Sequence, residues 1–191
     1  MSASSSCLVP QQGSAGPPRK IYVPKVLREK RQRLAEAQET VIHRAVYTKD
    51  EAQHHMQEVL THVSWTNLYG RRVAYGIYKN QNILNSQVKE IVAKVLSLLK
   101  IDKARLSQVY ANYYRNGAVG CGRHRHPSTL QILVSLGATR TLRISDAQGQ
   151  TLKDEVLHSG DVILFGSQYH ELLKDVTTEP RVSLAIFVKP C

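Results

Sequence analysis

The residues best suited to chemistry lie in the second half of the chain. His124-Arg125-His126 sits between a glycine-rich turn (Gly117, Gly120, Gly122) and an apolar run that begins at Leu130. On an extended segment, side chains two residues apart project to the same side, so His124 and His126 can chelate one metal ion. His170 follows the run Asp161–Phe165 and offers a third imidazole from a neighbouring strand. Three ligands on one face of a metal leave positions open for substrate or oxygen. Arg181 opens the last apolar run of the chain, and a fixed guanidinium there suits two-point contact with a carboxylate. Singly, each residue has an ordinary reading, as a surface loop histidine, a satisfied core histidine or a rim charge. Their order, on successive strands, favours a metal site with an anion-binding partner. His54 and His55 lack the i,i+4 spacing of a helical metal pair, and with His62 they read as surface histidines.

The elements that must position these groups fall into two blocks. Thr48-Lys49-Asp50-Glu51 fits a capping box, followed by a helix to about His62 with Ala52, Met56, Val59 and Leu60 on one face. Ser86 is expected to cap a second helix to about Lys100, in which Val88, Ile91, Val92, Val95, Leu98 and Leu99 form an apolar stripe. After Asp102 the pattern changes to short runs rich in Val, Ile, Leu, Thr and Tyr: 106–113, 130–136, 139–145, 151–158, 161–165 and 182–188. Gly, Asp and Ser punctuate them, as in Asn116-Gly117 and Ser159-Gly160-Asp161. Helices followed by closely spaced strands predict an α+β domain whose sheets form a sandwich or barrel. Residues 1–40 read as a disordered and then basic N-terminal extension and 41–191 as the domain. Residues 1–18 carry no charge, and seven Lys/Arg stand against one Glu from Arg19 to Arg33. That basic segment reads equally well as a nucleic-acid arm or import signal and as a solvated helix face.

Composition narrows the function class. The 191 residues carry 26 Lys+Arg against 15 Asp+Glu, a net charge of +11, with 42% apolar content. The apolar runs exclude disorder for most of the chain. Three widely spaced cysteines (Cys7, Cys121, Cys191) make neither a disulfide framework nor a zinc knuckle. No apolar run approaches the roughly 20 residues that span a bilayer, so no membrane association is expected. The charge is uneven: residues 1–150 hold 22 Lys+Arg and 9 Asp+Glu, whereas 151–191 hold 4 and 6. Such a basic surface favours polyanions, nucleic acid before anionic membrane. The expected location is intracellular, in nucleus or cytoplasm, with a mitochondrial presequence as the minority reading of the acid-poor N-terminus.

Several short motifs occur in a fixed order. Gly70-Arg71-Arg72-Val73-Ala74-Tyr75-Gly76 comes first, then Asn112-Tyr113-Tyr114 and Asn116-Gly117. His124-Arg125-His126 and Ile132-Leu133-Val134-Ser135-Leu136-Gly137 follow, then His158-Ser159-Gly160-Asp161-Val162, Tyr169-His170 and Pro180-Arg181-Val182-Ser183-Leu184. In this order the span from Trp65 to Cys191 resembles the AlkB family of Fe(II)/2-oxoglutarate dioxygenases, particularly its eukaryotic nucleic-acid demethylase branch. The resemblance implies a double-stranded β-helix (jelly-roll) core flanked by two or more helices. It makes His124 and His170 metal ligands and, with Arg181, the catalytic set. Arg181 and Tyr114 would hold the distal carboxylate of 2-oxoglutarate and Asn112 its other end. Arg71, Arg72, Tyr75 and Tyr78 would face RNA or DNA, joined by Arg123 and Arg125 beside the metal motif. The implied activity is oxidative demethylation of N-alkylated bases. His126 stands where the family places a metal-binding Asp, giving a three-histidine set. Phe187 stands where it places a second Arg, with Lys189, two residues on, expected to compensate in part. The alternative reading is a catalytically degenerate family member that keeps the fold and basic surface as a nucleic-acid-binding or structural subunit of a nucleoprotein assembly.

Overall fold

A computed structural model of the chain describes residues 24–191, apart from 69–70, 75–77, 80–81 and 84, and gives the backbone alone at 72, 74, 78–79 and 82–83. Its helices are α1 (Lys25–Glu36), α2 (Lys49–His62) and α3 (Ser86–Leu98). The capping box forms as the sequence predicts: Glu51 N donates to Thr48 Oγ1 at 3.2 Å, and Thr48 N donates to Glu51 Oε2 at 2.8 Å. Ala52, Met56 and Val59 on the following turns are buried. Asn85, not Ser86, caps α3, its Oδ1 accepting from Val88 N at 3.0 Å. The backbone is still extended at Asn85 and already helical at Ser86, and only the last extended residue can cap. In the apolar stripe of α3, Leu98 is 42% exposed while Leu96 is buried, because Leu98 falls off the stripe's edge at about 100° per residue.

From Lys25 on, the basic segment is helical as α1. Near its end Ala35 is buried, and the Ala35 carbonyl accepts from Ser167 N at 3.1 Å. The folded part thus takes in residues ahead of Val41. Gly166 makes this docking possible, since a Cβ there would lie 1.8 Å from the Ala35 carbonyl oxygen.

The strands are β1 (Val41–His43), β2 (Thr66–Leu68), β3 (Arg71–Ala74), β4 (Tyr78–Lys79), β5 (Asn82–Ile83), β6 (Leu106–Tyr114), β7 (Cys121–His124), β8 (Leu130–Gly137), β9 (Arg140–Ser145), β10 (Thr151–Leu157), β11 (Val162–Phe165), β12 (Tyr169–Leu172) and β13 (Arg181–Val188). One sheet runs β1-β11-β8-β13-β6-β3-β2, a second β10-β9-β12-β7, and β4 pairs with β5. All of these pairings are antiparallel. The two larger sheets wind as a double-stranded β-helix. Alternation along the central strands divides the interior. Val182, Leu184, Ile186 and Val188 of β13 join Ile132, Val134 and Leu136 of β8 in a core shared with α2 and α3. The intervening side chains of β13 (Arg181, Ser183, Ala185, Phe187) line the space between the sheets. That space holds the site.

The turn between β10 and β11 depends on Gly160. Its φ is +91°, and a Cβ there would come within 2.1 Å of the Tyr47 carbonyl oxygen. Its own N–H donates to Ser135 O at 2.8 Å, and its carbonyl accepts from Tyr47 N at 3.2 Å. A Gly160→Ala chain is expected to lose about 2–3 kcal/mol of stability from backbone strain and the clash. Calorimetry would read this as a drop in Tm of roughly 5–10 °C; an unchanged Tm would contradict the packing. No helix among the described residues is long and apolar enough to cross a membrane.

Candidate active site

A cavity of about 540 Å³ opens between the two larger sheets. β6 contributes Tyr110, Asn112 and Tyr114; β13 contributes Arg181, Ser183, Ala185 and Phe187; the second sheet contributes Cys121, His124, Leu142 and His170. No carboxylate is among its described lining residues.

The three histidines expected to bind metal meet here. β7 and β12 pair so that His124 stands opposite His170, with ring centroids 4.3 Å apart. His126 lies just beyond β7, and its ring is 5.0 Å from His124 and 5.8 Å from His170. Candidate ligand nitrogens from all three rings lie within 4.8 Å of one another. Backbone carbonyls orient two of them: His124 Nδ1 is 2.8 Å from Gly122 O, and His170 Nδ1 is 3.3 Å from Gln168 O. An Nδ1–H spent on a carbonyl leaves the Nε2 lone pair for a metal. Burial, reinforced by the neighbouring imidazoles, pushes His170 down to about 3 and His126 down to about 4. Both are therefore neutral near pH 7, the protonation state a ligand needs. His124 is shifted upward, chiefly by its hydrogen bond with Cys121.

Arg181 supplies the second half of the site. It is 1% exposed. Its Nε donates to Ser135 Oγ at 3.3 Å, but its Nη2 has no hydrogen-bond partner among the described residues. Burial pulls its pKa down to about 10. A buried guanidinium nitrogen on a cavity wall, with no carboxylate beside it, is an open place for an anionic ligand. Tyr114 lies next to it, 5.6 Å from ring centroid to the Arg181 guanidinium carbon, and burial keeps its phenol protonated. The donor set of three imidazoles, two of them held neutral, plus an unmatched guanidinium thus fits a divalent metal carrying a dicarboxylic keto acid.

The remaining expected residues divide. Asn112 lines the cavity, and its Oδ1 accepts from Arg71 Nε at 3.3 Å. Arg71 is therefore turned into the cavity. Tyr75 lies outside the described residues, and at Arg72 and Tyr78 only the backbone is described. Arg123 is tied down by Ser145 Oγ at 3.1 Å, Asp146 O at 2.6 Å and Ala147 O at 3.2 Å. It also lies over the Tyr169 ring, 3.8 Å from its centroid. Arg125 is exposed, 5.1 Å from the same ring. Lys189 is not part of the cavity lining; its backbone pairs with Arg105 through N–H to O at 2.9 Å and Arg105 Nε to Lys189 O at 2.8 Å. Lys189 follows the last residue of β13 and lines the adjoining groove with Phe187 and His126 instead. Of the helical histidines, His54 and His62 are exposed and His55 is half-buried against Gln87 and Tyr47.

Some site residues escaped the sequence. Phe187 packs edge-on to His126, centroids 4.7 Å apart, and fixes that ring's place. Gln131, Tyr110 and Cys121 line the cavity as well. The period of two along β6, β8 and β13 is the signal that selects Tyr110, Gln131 and Phe187, once Asn112, Leu133 and Arg181 are assigned to that face; Cys121, on β7, has no such signal.

No family model matches the chain, and no curated protein matches it in sequence. Solved structures do match in shape. An oxidoreductase of the 2OG-Fe(II) oxygenase family from Burkholderia pseudomallei aligns at TM-score 0.56 and 13% identity, over 85% of this chain and 89% of that one. A prolyl-4-hydroxylase from Pseudomonas putida aligns at TM-score 0.58 and 14% identity, over 86% and 99%. HygX from Streptomyces hygroscopicus, solved with nickel and 2-oxoglutarate, aligns at TM-score 0.56 and 13% identity, over 84% and 86%. The chain has the jelly-roll fold these oxygenases share.

Proposed function

We propose that this chain is an Fe(II)- and 2-oxoglutarate-dependent oxygenase that demethylates N-alkylated bases of RNA or DNA. The observation that carries the reading is the meeting, in one cavity, of three imidazoles with nitrogens within 4.8 Å and a buried arginine with an unmatched Nη2. The fold shared with 2OG-Fe(II) oxygenases supports the same chemistry. His124, His126 and His170 would hold the iron, and Arg181 with Tyr114 would hold the far carboxylate of the keto acid. With both bound, such a centre would use O2 as the oxidant, one oxygen atom oxidising the keto acid to succinate and CO2 and the other hydroxylating a methyl group on nitrogen, whose hemiaminal would release formaldehyde and the free base. The chain's own contribution is orientation. Gly122 O and Gln168 O set two ligand rings, Phe187 packs against the third, and Leu133, Leu142 and Ala185 give the cavity an apolar wall. The nucleic-acid half of the reading rests on the net charge of +11 and on Arg125 at the rim.

The test is anaerobic titration with Fe(II) and 2-oxoglutarate, read as the visible metal-to-ligand charge-transfer band, followed by formaldehyde release from an N-methylated oligonucleotide. A band is expected; its absence together with unconsumed 2-oxoglutarate would refute the reading. Arg181→Met should raise the 2-oxoglutarate Kd roughly 10–100-fold, the loss of a charge-assisted pair, while Fe(II) binding stays. Equal 2-oxoglutarate affinity in the variant would remove Arg181 from the anion site.

The absence of a carboxylate among the described lining residues favours one further reading, that of a binding subunit without turnover. His126→Asp separates the two. Turnover gained only in that variant marks the natural chain as a degenerate binding subunit; turnover lost marks the three-histidine centre as the working one.

A further inference from the structure

A second groove, of about 420 Å³, lies against the metal cavity, and the two share His126 and Phe187 as a common wall. The groove is basic. Arg28 and Arg31, one turn apart on α1, line it with Lys189 from the end of the last strand and Ser128 from the loop after His126. No described carboxylate lines it. The nearest acid on the helix, Glu29, is 3.8 Å from Lys25 on another face. None of the side chains of Arg28, Arg31 and Lys189 has a hydrogen-bond or ion-pair partner among the described residues. Three unneutralised cations around one groove repel each other, and the first turn of α1 holds no acidic residue and no side-chain cap, so its dipole adds to the positive potential. Ser128 sits at φ +63°, a left-handed conformation that costs a serine free energy and is kept here at the groove's edge.

We propose that this groove seats the phosphodiester backbone of the substrate strand while the target base occupies the neighbouring cavity. The proposal rests on the nucleic-acid reading above and adds the place of the strand. A planar guanidinium pair suits phosphate oxygens, and hydroxyl groups at Ser128 and Thr129 suit the same ligand. The shared wall favours a nucleotide over an acidic peptide. Phe187 and Tyr110, centroids 5.0 Å apart, present aromatic surface on the cavity side of the wall, with Lys189, two residues beyond Phe187, on the groove side. A base on an aromatic surface with its phosphate on guanidinium is the arrangement that binds single strands.

The test is fluorescence anisotropy of a short labelled single-stranded RNA on the full chain across a salt series, beside a polyglutamate peptide of equal charge. Arg28→Gln/Arg31→Gln should weaken RNA binding at low salt by roughly tenfold or more. It should also reduce the log–log salt slope by about 1.4, the release from two phosphates of a single strand. Thermal melting and the Fe(II)/2-oxoglutarate absorption band of the variant should match the parent. As a second measurement, ultraviolet crosslinking of the parent chain to a 4-thiouridine strand should label peptides containing residues 107–108 or 127–129. Unchanged affinity and slope, or crosslinks confined elsewhere, would overturn the proposal. Polyglutamate binding as tightly with the same loss in the variant would also overturn it, since the groove would then read acidic peptide. Failure of the oxygenase reading shows separately, as absence of the absorption band in parent and variant alike.

Discussion

His170→Ala is expected to give a folded chain that no longer retains Fe(II). His170 is 5% exposed and lies between β9 and β7, with His124 directly across the ladder. Removing it leaves two imidazoles from one short segment at the end of β7 and takes away the ligand from the neighbouring strand that makes the set facial. Loss of an outer-shell partner typically costs 10–100-fold in metal affinity, so loss of a ligand should exceed about 100-fold. The same variant reports through stability. A metal at a hundredfold excess over its Kd stabilises the folded chain by about 2.7 kcal/mol, or roughly 5–10 °C in Tm for a chain this size. Fe(II) added under argon should raise the parent's Tm by that amount and leave the variant's unmoved. An equal rise in both would show that the iron binds elsewhere. The Phe165 ring, 4.9 Å from His170, borders the space left behind, so the apo variant should itself melt slightly lower.

The largest expected loss of stability belongs to Arg140→Met. Arg140 is 1% exposed, and its guanidinium donates to four backbone carbonyls: Asn116 O at 3.2 Å, Gly117 O at 3.1 Å, Val119 O at 3.0 Å and Leu173 O. Burial holds its pKa below the usual arginine value, against the opposing pull of Asp175 and Tyr114. Methionine fills much of the same volume and satisfies none of those oxygens. Stranding several buried acceptors should cost roughly 3–5 kcal/mol and lower Tm by about 10 °C. The consequence reaches the metal. The carbonyls belong to the turn that leads from Val119 into β7 and to the chain leaving β12, the two strands that carry His124 and His170. Metal affinity should therefore fall by roughly tenfold at temperatures where the variant is still folded. A variant with parental Tm and affinity would show that the turn is held by other contacts.

What could be read in advance was what repeats locally. The capping box at Thr48 and the alternation along 130–137 announce themselves within a few residues, and the three histidines follow from one short motif and one distant imidazole. Arg140 could not be read, because its four partners are backbone oxygens supplied by a turn and a strand end far along the chain, and carbonyls leave no trace in a sequence. Lys189 lies outside the cavity for a related reason: counting by twos from Phe187 runs past the end of β13 at Val188, and the lysine lines the adjoining groove. Asn85 and Ser86 are both good caps, and which one serves depends on where the extended backbone stops. The direction of Arg71 into the cavity follows from Asn112, a residue of another strand, and an arginine beside an arginine gives no hint of it.

The placement of β13 bears on how the chain could go wrong. It is the middle strand of its sheet, pairs with β8 on one edge and β6 on the other, and all eight of its residues are buried. A slip of one residue against either neighbour would turn Arg181, Ser183 and Phe187 into the apolar layer beneath α2 and α3 and bring Val182, Leu184 and Val188 into the cavity. A bare guanidinium in that layer would cost several kcal/mol. Misthreaded chains are therefore disfavoured by the same arginine that equips the correct one. Partial activity from a slightly misassembled product is not an outcome this strand allows: the core closes in one register, and that register is the one with its site complete.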